Sequence, residues 1–221
     1  VNRLASAIAL LLALAGCGGG STDTSHLPPL VSHAEASVAL DGSPVAARQY
    51  RELLTGAVRR VWGLDGPVPT MAGQVEQESG WNPNATSPVG ARGLTQFMPG
   101  TATDVARRYP DLGPAAPLNP TWALYAMALY NKEIFDGVTA RDECNRWAFT
   151  LAGYNGGPGW VKRDKVLAAQ TGRDANVYWG SVEQVNAGRT AAAFAENRGY
   201  PERILHRLQP KYVAWGRTVC L

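Results

Sequence analysis

The sequence predicts a mainly α domain with at most a small β-hairpin. Apolar residues recur at helical spacing in one segment after another from Val45 onward. Pro and Gly fall where those segments would start or stop, and no stretch sustains the alternation of a half-buried strand. There is no internal repeat, and 221 residues suffice to bury a full core as one domain.

The front of the chain carries a different signal. Val1 reads as the product of a non-standard start codon, Arg3 supplies a positive end and Leu4 to Ala15 an apolar run. Leu14-Ala15-Gly16-Cys17 then resembles the lipobox of bacterial lipoproteins. The run is too short to span a bilayer as a folded helix, and Gly18, Gly19 and Gly20 would break a buried one. Residues 1–17 are therefore expected to be a lipoprotein signal peptide ending at Cys17, the lipidation site and membrane anchor; an uncleaved anchor is the rival reading. Gly18 in place of Asp after the cysteine implies, by resemblance to lipoprotein sorting, the periplasmic face of the outer membrane. Residues 18–44 mix Gly, Ser, Thr and Pro without periodicity and read as a flexible linker.

The domain is expected to run over 45–221. Val45, Tyr50, Leu53, Leu54, Ala57, Val58, Val61 and Trp62 share one side of a first helix, with Arg48, Arg51, Glu52, Arg59 and Arg60 opposite. Val68, Met71, Ala72 and Val75 form the buried face of a second. Thr101 with Asp104 resembles a capping pair opening a short helix that Pro110 stops. Asn119 and Pro120 start another, continued by Trp122, Tyr125, Ala126, Leu129, Tyr130 and Ile134 to Gly137; that aromatic stripe reads as core. Trp147, Leu151 and Tyr154 mark a helix ending at a glycine-rich turn, and Pro201 and Pro210 punctuate the final helices.

The formal charge of +3 is mild, and Lys and Arg are scattered among acidic residues rather than massed in a stripe, which argues against a nucleic-acid partner. If the chain is exported, Cys17 takes the lipid and leaves Cys144 and Cys220 as a candidate disulfide; two separate buried thiols are the alternative. His26, His33 and His206 fit no zinc spacing, so no metal is expected.

Glu78 is the residue with the clearest chemical signal. At about 100° per residue it falls roughly 60° from Val75 and borders the buried face, whereas Glu76 falls on the other side and is expected to look outward. Partial burial penalises a carboxylate's charge and raises its pKa, so Glu78 is expected to hold a proton near neutrality.

Glu78, Ser79, Trp81, Asn82 and Pro83 match in order the first motif of the soluble lytic transglycosylases, a lysozyme-like family to which this segment is similar. Ser87 to Ala91 fill the family's intervening turn. Gly93, Leu94, Gln96, Phe97, Met98 and Pro99 match its second motif, with Thr95 in place of Met. Gly153, Tyr154 and Asn155 stand for its Ala-Tyr-Asn, and Glu196, Asn197, Arg198, Gly199, Tyr200 and Pro201 for its Glu-Thr-Arg-x-Tyr-Val. The resemblance spans roughly 64–208 and implies a helical, goose-type lysozyme-like domain.

It also implies a chemistry. Glycosidic cleavage commonly uses two carboxylates, and the motif offers one. Glu78 would protonate the bond between N-acetylmuramic acid and N-acetylglucosamine, then act as base while the sugar's 6-hydroxyl closes an anhydro ring. Ser87, Gln96 and Met98 would line sugar subsites. Tyr154 would set the hydrogen bonding of Glu78, Asn155 would shape its turn, and Glu196 would act electrostatically. On the residues alone, Ser87 could equally brace its turn, Asn155 end a helix, Glu196 pair with Arg198, and Trp81 or Trp160 be sugar platforms or core. Ser79 is expected to position rather than attack, because no His-Asp relay is visible. The resemblance implies no cofactor, and the peptidoglycan strand as partner of a monomer. A hydrolytic goose-type muramidase and a non-catalytic wall-binding lipoprotein are the competing classes.

Overall fold

The computed structural model describes residues 41–220. Cys17, the leader and nearly all of the linker lie outside the described residues. Within them the architecture is helical, and its β component amounts to two isolated antiparallel bridges, Thr86 with Arg92 and Arg92 with Phe97. No helix among them is long and apolar enough to cross a membrane.

The first predicted helix is split in two. Helix α1 (Val45–Arg48) stops after one turn and α2 (Arg51–Trp62) begins beyond Tyr50. The break turns Val45 out to 78% exposure, against the expectation that it shares the buried face of Leu54, Ala57 and Val58. The packed structure also starts earlier than position 45: Ser43 is buried, and Asp41 accepts a 3.1 Å bond from Trp215 Nε1.

Helix α3 (Val68–Ser79) occupies the centre. Pro69 sits in its first turn, where a missing N–H costs nothing. Every residue from Val68 to Val75 is buried, because α2 covers one side and the C-terminal segment the other. Gly80 ends it in the left-handed conformation at φ 57°, so the chain turns away two residues after Glu78.

Helix α4 (Pro99–Arg108) opens on Pro99, two residues before the predicted Thr101 cap; Met98 is the cap residue and makes no side-chain bond. Asp104 instead pairs with Arg107 at 2.9 Å. Helix α5 (Pro120–Gly137) starts and stops as predicted, with the Asn119 side chain accepting from Thr121 N and Trp122 N. Helix α6 (Glu143–Gly156) is capped by Asp142, and only Gly157, at φ 94°, separates it from α7 (Pro158–Gln170). Helix α7 went unpredicted because the Gly-rich run reads as a long turn. Helix α8 (Ala191–Glu202) contains Pro201. A π-helical turn, Arg203–Leu208, follows the missing Pro201 N–H, and a 3₁₀ segment, Gln209–Trp215, is the last helical element of the described residues.

The C-terminal segment is fastened in three ways. Cys220 is bonded to Cys144 across 76 residues, joining it to the start of α6. Buried Gln209 accepts from Thr70 of α3 at 2.5 Å and donates to Val219 O at 2.7 Å. Trp81, a candidate sugar platform, is core: its Nε1 donates to Tyr212 Oη at 2.7 Å, and its ring meets Tyr50, Tyr212 and Trp215.

Candidate active site

Glu78 stands in the last turn of α3, directly before the Gly80 break. Glu78 is partly buried, and the desolvation of its carboxyl raises its pKa from the ordinary 4.5 to about 7. A hydrogen bond donated by the Tyr200 hydroxyl to Oε1 opposes the rise, and the charge of Glu196 adds to it. Burial prevails, so the group carries a proton through mildly acidic conditions and exchanges it near neutrality.

Tyr200 is buried in α8. Burial and the neighbouring Glu78 hold its own pKa far above the usual phenol range, which keeps the hydroxyl a donor. Gln74 lies alongside it and accepts from Asn131 Nδ2 at 2.7 Å. The Nε2 of Gln74 reaches no acceptor.

The role expected of Tyr154 falls to Tyr200. Tyr154 Oη donates to Thr95 O at 2.8 Å, while its ring packs on Phe97 and Tyr130. It touches the site as a wall that fixes the loop carrying Gln96. Tyr200 was visible in the sequence as a motif member, but nothing in its spacing from Glu78 announced the contact, which joins residues 122 positions apart.

The loop over residues 82–98 is braced by its own side chains. Ser79 Oγ donates to Leu94 O at 2.9 Å, a bracing contact rather than a nucleophile's. Ser87 Oγ accepts from Ala91 N at 2.9 Å, which is the turn-bracing alternative. Gln96 holds φ 47°, uncommon for a non-glycine residue, and its Nε2 donates to Gly93 O at 2.9 Å and Ala85 O at 3.2 Å. Backbone strain of this kind gathers at functional sites. Gly93 has no substitute: an added Cβ would lie 1.8 Å from Pro117 O. Met98 is 42% exposed at the loop's end.

Asn155 and Glu196 meet on the other wall, with Asn155 Nδ2 donating to Glu196 Oε1 at 3.4 Å. Asn155 Oδ1 accepts from Asn197 Nδ2 at 3.0 Å, and the same nitrogen donates to Ala152 O at 2.8 Å. Gly156 makes room for it, since a Cβ there would meet Asn197 Nδ2 at 2.7 Å. Arg198 does not pair with Glu196; it reaches buried Asp164 at 2.7 Å. Glu76, expected to face solvent, is only 16% exposed and binds Lys211 Nζ at 2.6 Å and Tyr212 Oη at 2.6 Å. Helical periodicity within α3 could not foresee the C-terminal segment lying over it.

A groove of about 370 Å³ is lined by Asn155, Trp160, Arg189 and Glu196. A larger depression of about 700 Å³ lies between the end of α5 and α7 and includes none of the candidate site residues. Among the described residues no group of three or more His, Cys, Asp and Glu side chains gathers as a metal site would.

Comparison with known proteins adds a family to this geometry. The family described as transglycosylase SLT domain matches residues 67–177. The soluble lytic murein transglycosylase of Salmonella typhimurium is 36% identical over 160 residues, covering 71% of this chain and 22% of its own. Membrane-bound lytic murein transglycosylase F of Thiobacillus denitrificans is 32% identical over 155 residues, covering 62% and 31%. A solved complex of the 70-kDa soluble lytic transglycosylase with bulgecin A matches with a TM-score of 0.52 at 26% identity, over 76% of this chain and 25% of that one. The chain thus spans about a fifth to a third of the length of these relatives.

Proposed function

Since this chain belongs to the transglycosylase SLT domain family, we propose that it is a peptidoglycan lytic transglycosylase, cutting the β-1,4 bond between N-acetylmuramic acid and N-acetylglucosamine without water. The observation that carries the reading is the carboxyl of Glu78, buried against the Tyr200 hydroxyl and raised to about 7. Protonated, it gives its proton to the leaving glycosidic oxygen as the bond to the anomeric carbon breaks. The substrate's acetamido oxygen relieves the positive charge left on that carbon. Glu78, now a carboxylate, takes the proton of the 6-hydroxyl as its oxygen bonds to the same carbon. The anhydro ring is closed and the enzyme returns to its starting protonation. Tyr200 keeps the carboxyl aimed in both states.

Ser87, Gln96, Met98, Tyr154, Asn155 and Glu196 are proposed to line the strand's path. The exposed Met98 and the Glu196 carboxylate suit the apolar and polar faces of a sugar. We further propose that the enzyme acts in the cell envelope, held by lipid on Cys17 at the periplasmic face of the outer membrane. The relatives' names, soluble and membrane-bound murein transglycosylases, support the envelope setting.

The test is the end group. Purified peptidoglycan digested with the wild-type protein is expected to release muropeptides with anhydromuramyl ends, one water lighter by mass than reducing ends. Reducing ends alone would replace the proposal with a hydrolytic muramidase, and no release would leave a wall-binding protein.

A further inference from the structure

The groove beside Asn155 and Glu196 has a second wall that the chemistry above does not use: Trp160 of α7 and Arg189, just ahead of α8. The Arg189 side chain is only 3% exposed. Its Nη1 donates to Asp164 at 2.5 Å, but Nε and Nη2 are buried and reach no acceptor. The guanidinium lies 4.9 Å from the Trp160 ring centroid, which offsets part of its charge yet gives those N–H groups no conventional acceptor.

Asp164 cannot neutralise Arg189 alone, since it also receives Arg198 Nη2 at 2.7 Å and Ala187 N at 3.0 Å. Arg163 covers the Trp160 ring at 3.8 Å, and the two charged residues on the groove lining are Arg189 and Glu196. Helix α8, 12 residues long, begins in the groove at Thr190, with Ala193 on the lining, and brings the positive end of its dipole there. A buried guanidinium with unmet N–H groups is costly unless an anion completes it.

We propose that this groove is a carboxylate subsite, with Arg189 as its charged wall and the positive end of the α8 dipole facing it, the Ala193 N–H itself being taken by the Thr190 side chain. Resting on the peptidoglycan reading above, the carboxylate comes from the side arm of a muramic acid: either a stem-peptide carboxylate or, on a strand without peptides, the lactyl group. Glu196 repels an anion on its own side, so the side arm turns toward Arg189 and the neutral sugar toward Glu196.

Three soluble glycan preparations test this: strands with native stem peptides, the same strands with carboxylates converted to methylamides, and strands stripped of peptides to leave the lactyl carboxylate. For the full chain, kcat/KM is measured on each, and Kd for each with the Glu78→Gln variant. Native strands are expected to exceed methylamidated ones by about 10-fold or more in both readouts, the scale of a charge-assisted bond. Stripped strands that match native ones show that a freed lactyl carboxylate can replace the stem's in the subsite, and stripped strands that fall short restrict it to the stem. Arg189→Lys keeps a charge beside Asp164 without the guanidinium fork and is expected to reduce the preference to about threefold or less. Equal values for native and methylamidated strands with the wild-type protein would overturn the subsite, whether or not the Lys variant folds, as would full preference in a folded Arg189→Lys. Should no strand be cut, the peptidoglycan-cleavage reading fails and the Kd comparison alone decides the subsite.

Discussion

Replacing Glu78 with Gln separates the proposed chemistry from stability. Burial lifts the carboxyl from 4.5 to about 7, so between those values the folded protein keeps a proton that the unfolded chain releases. Stability from this group is complete below pH 4.5 and is lost as the pH rises toward 7; beyond that the fold bears a buried anion. Over about 2.5 pH units at about 1.4 kcal/mol each, the penalty reaches about 3 kcal/mol. Gln is neutral throughout and still offers Tyr200 an acceptor. Glu78→Gln is therefore expected to melt roughly 6–12 °C above wild type at about pH 8 and with a much smaller difference near pH 4.5. It should also lose about 10⁴-fold or more in activity, because the acid and base roles disappear together. Scanning calorimetry at both pH values, alongside mass analysis of released muropeptides, makes the check. A melting difference independent of pH would refute the burial argument, and full activity in the folded variant would refute the site.

Tyr200→Phe removes the donor that favours the carboxylate, so the Glu78 pKa rises further and the alkaline limb of the kcat/KM profile should move to higher pH as the rate falls; an unmoved limb would detach Tyr200 from Glu78. Breaking Cys144–Cys220 by Cys220→Ser, across its separation of 76 residues, should cost up to about 4 kcal/mol on the chain-entropy account, measured by denaturant unfolding of periplasmically produced protein; unchanged stability would contradict it. Cys17→Ser should abolish incorporation of a radioactive fatty acid in the expressing cell, and equal label in both proteins would rule out the anchor.

Local patterns made the helical class and several boundaries legible. Asn119-Pro120 announced α5 because capping and Pro at the first turn act within a few residues. The face of Val68, Met71, Ala72 and Val75 set Glu78 at the edge of the core for the same reason. Failures came where a local break or distant packing overrides the pattern. Val45 looked buried because periodicity cannot see the break at Tyr50. Thr101 looked like a cap because a cap signature ignores Pro99 two residues earlier. Tyr154 was expected at the carboxyl that Tyr200 in fact reaches, because which hydroxyl makes that contact depends on how α8 packs. Arg189 carried no signal at all, since the burial that leaves its Nε and Nη2 without acceptors is a property of its surroundings.

Glu76 and Glu78 show how little of the site α3 determines by itself. They share one helix end, yet the first is an ion-paired carboxylate on Lys211 and the second a buried acid on Tyr200. Both partners arrive from beyond position 199, and Pro201 with its π turn separates the two stretches that supply them. That region is clasped by Gln209 on Thr70 and by the Cys144–Cys220 bond. If the clasp loosens, Glu76 loses its cation and Glu78 its cover. Water reaching Glu78 would return its pKa toward 4.5 and take away the proton it is proposed to donate near neutrality. The C-terminal fastening thus supports the proposed chemistry as directly as it supports the fold.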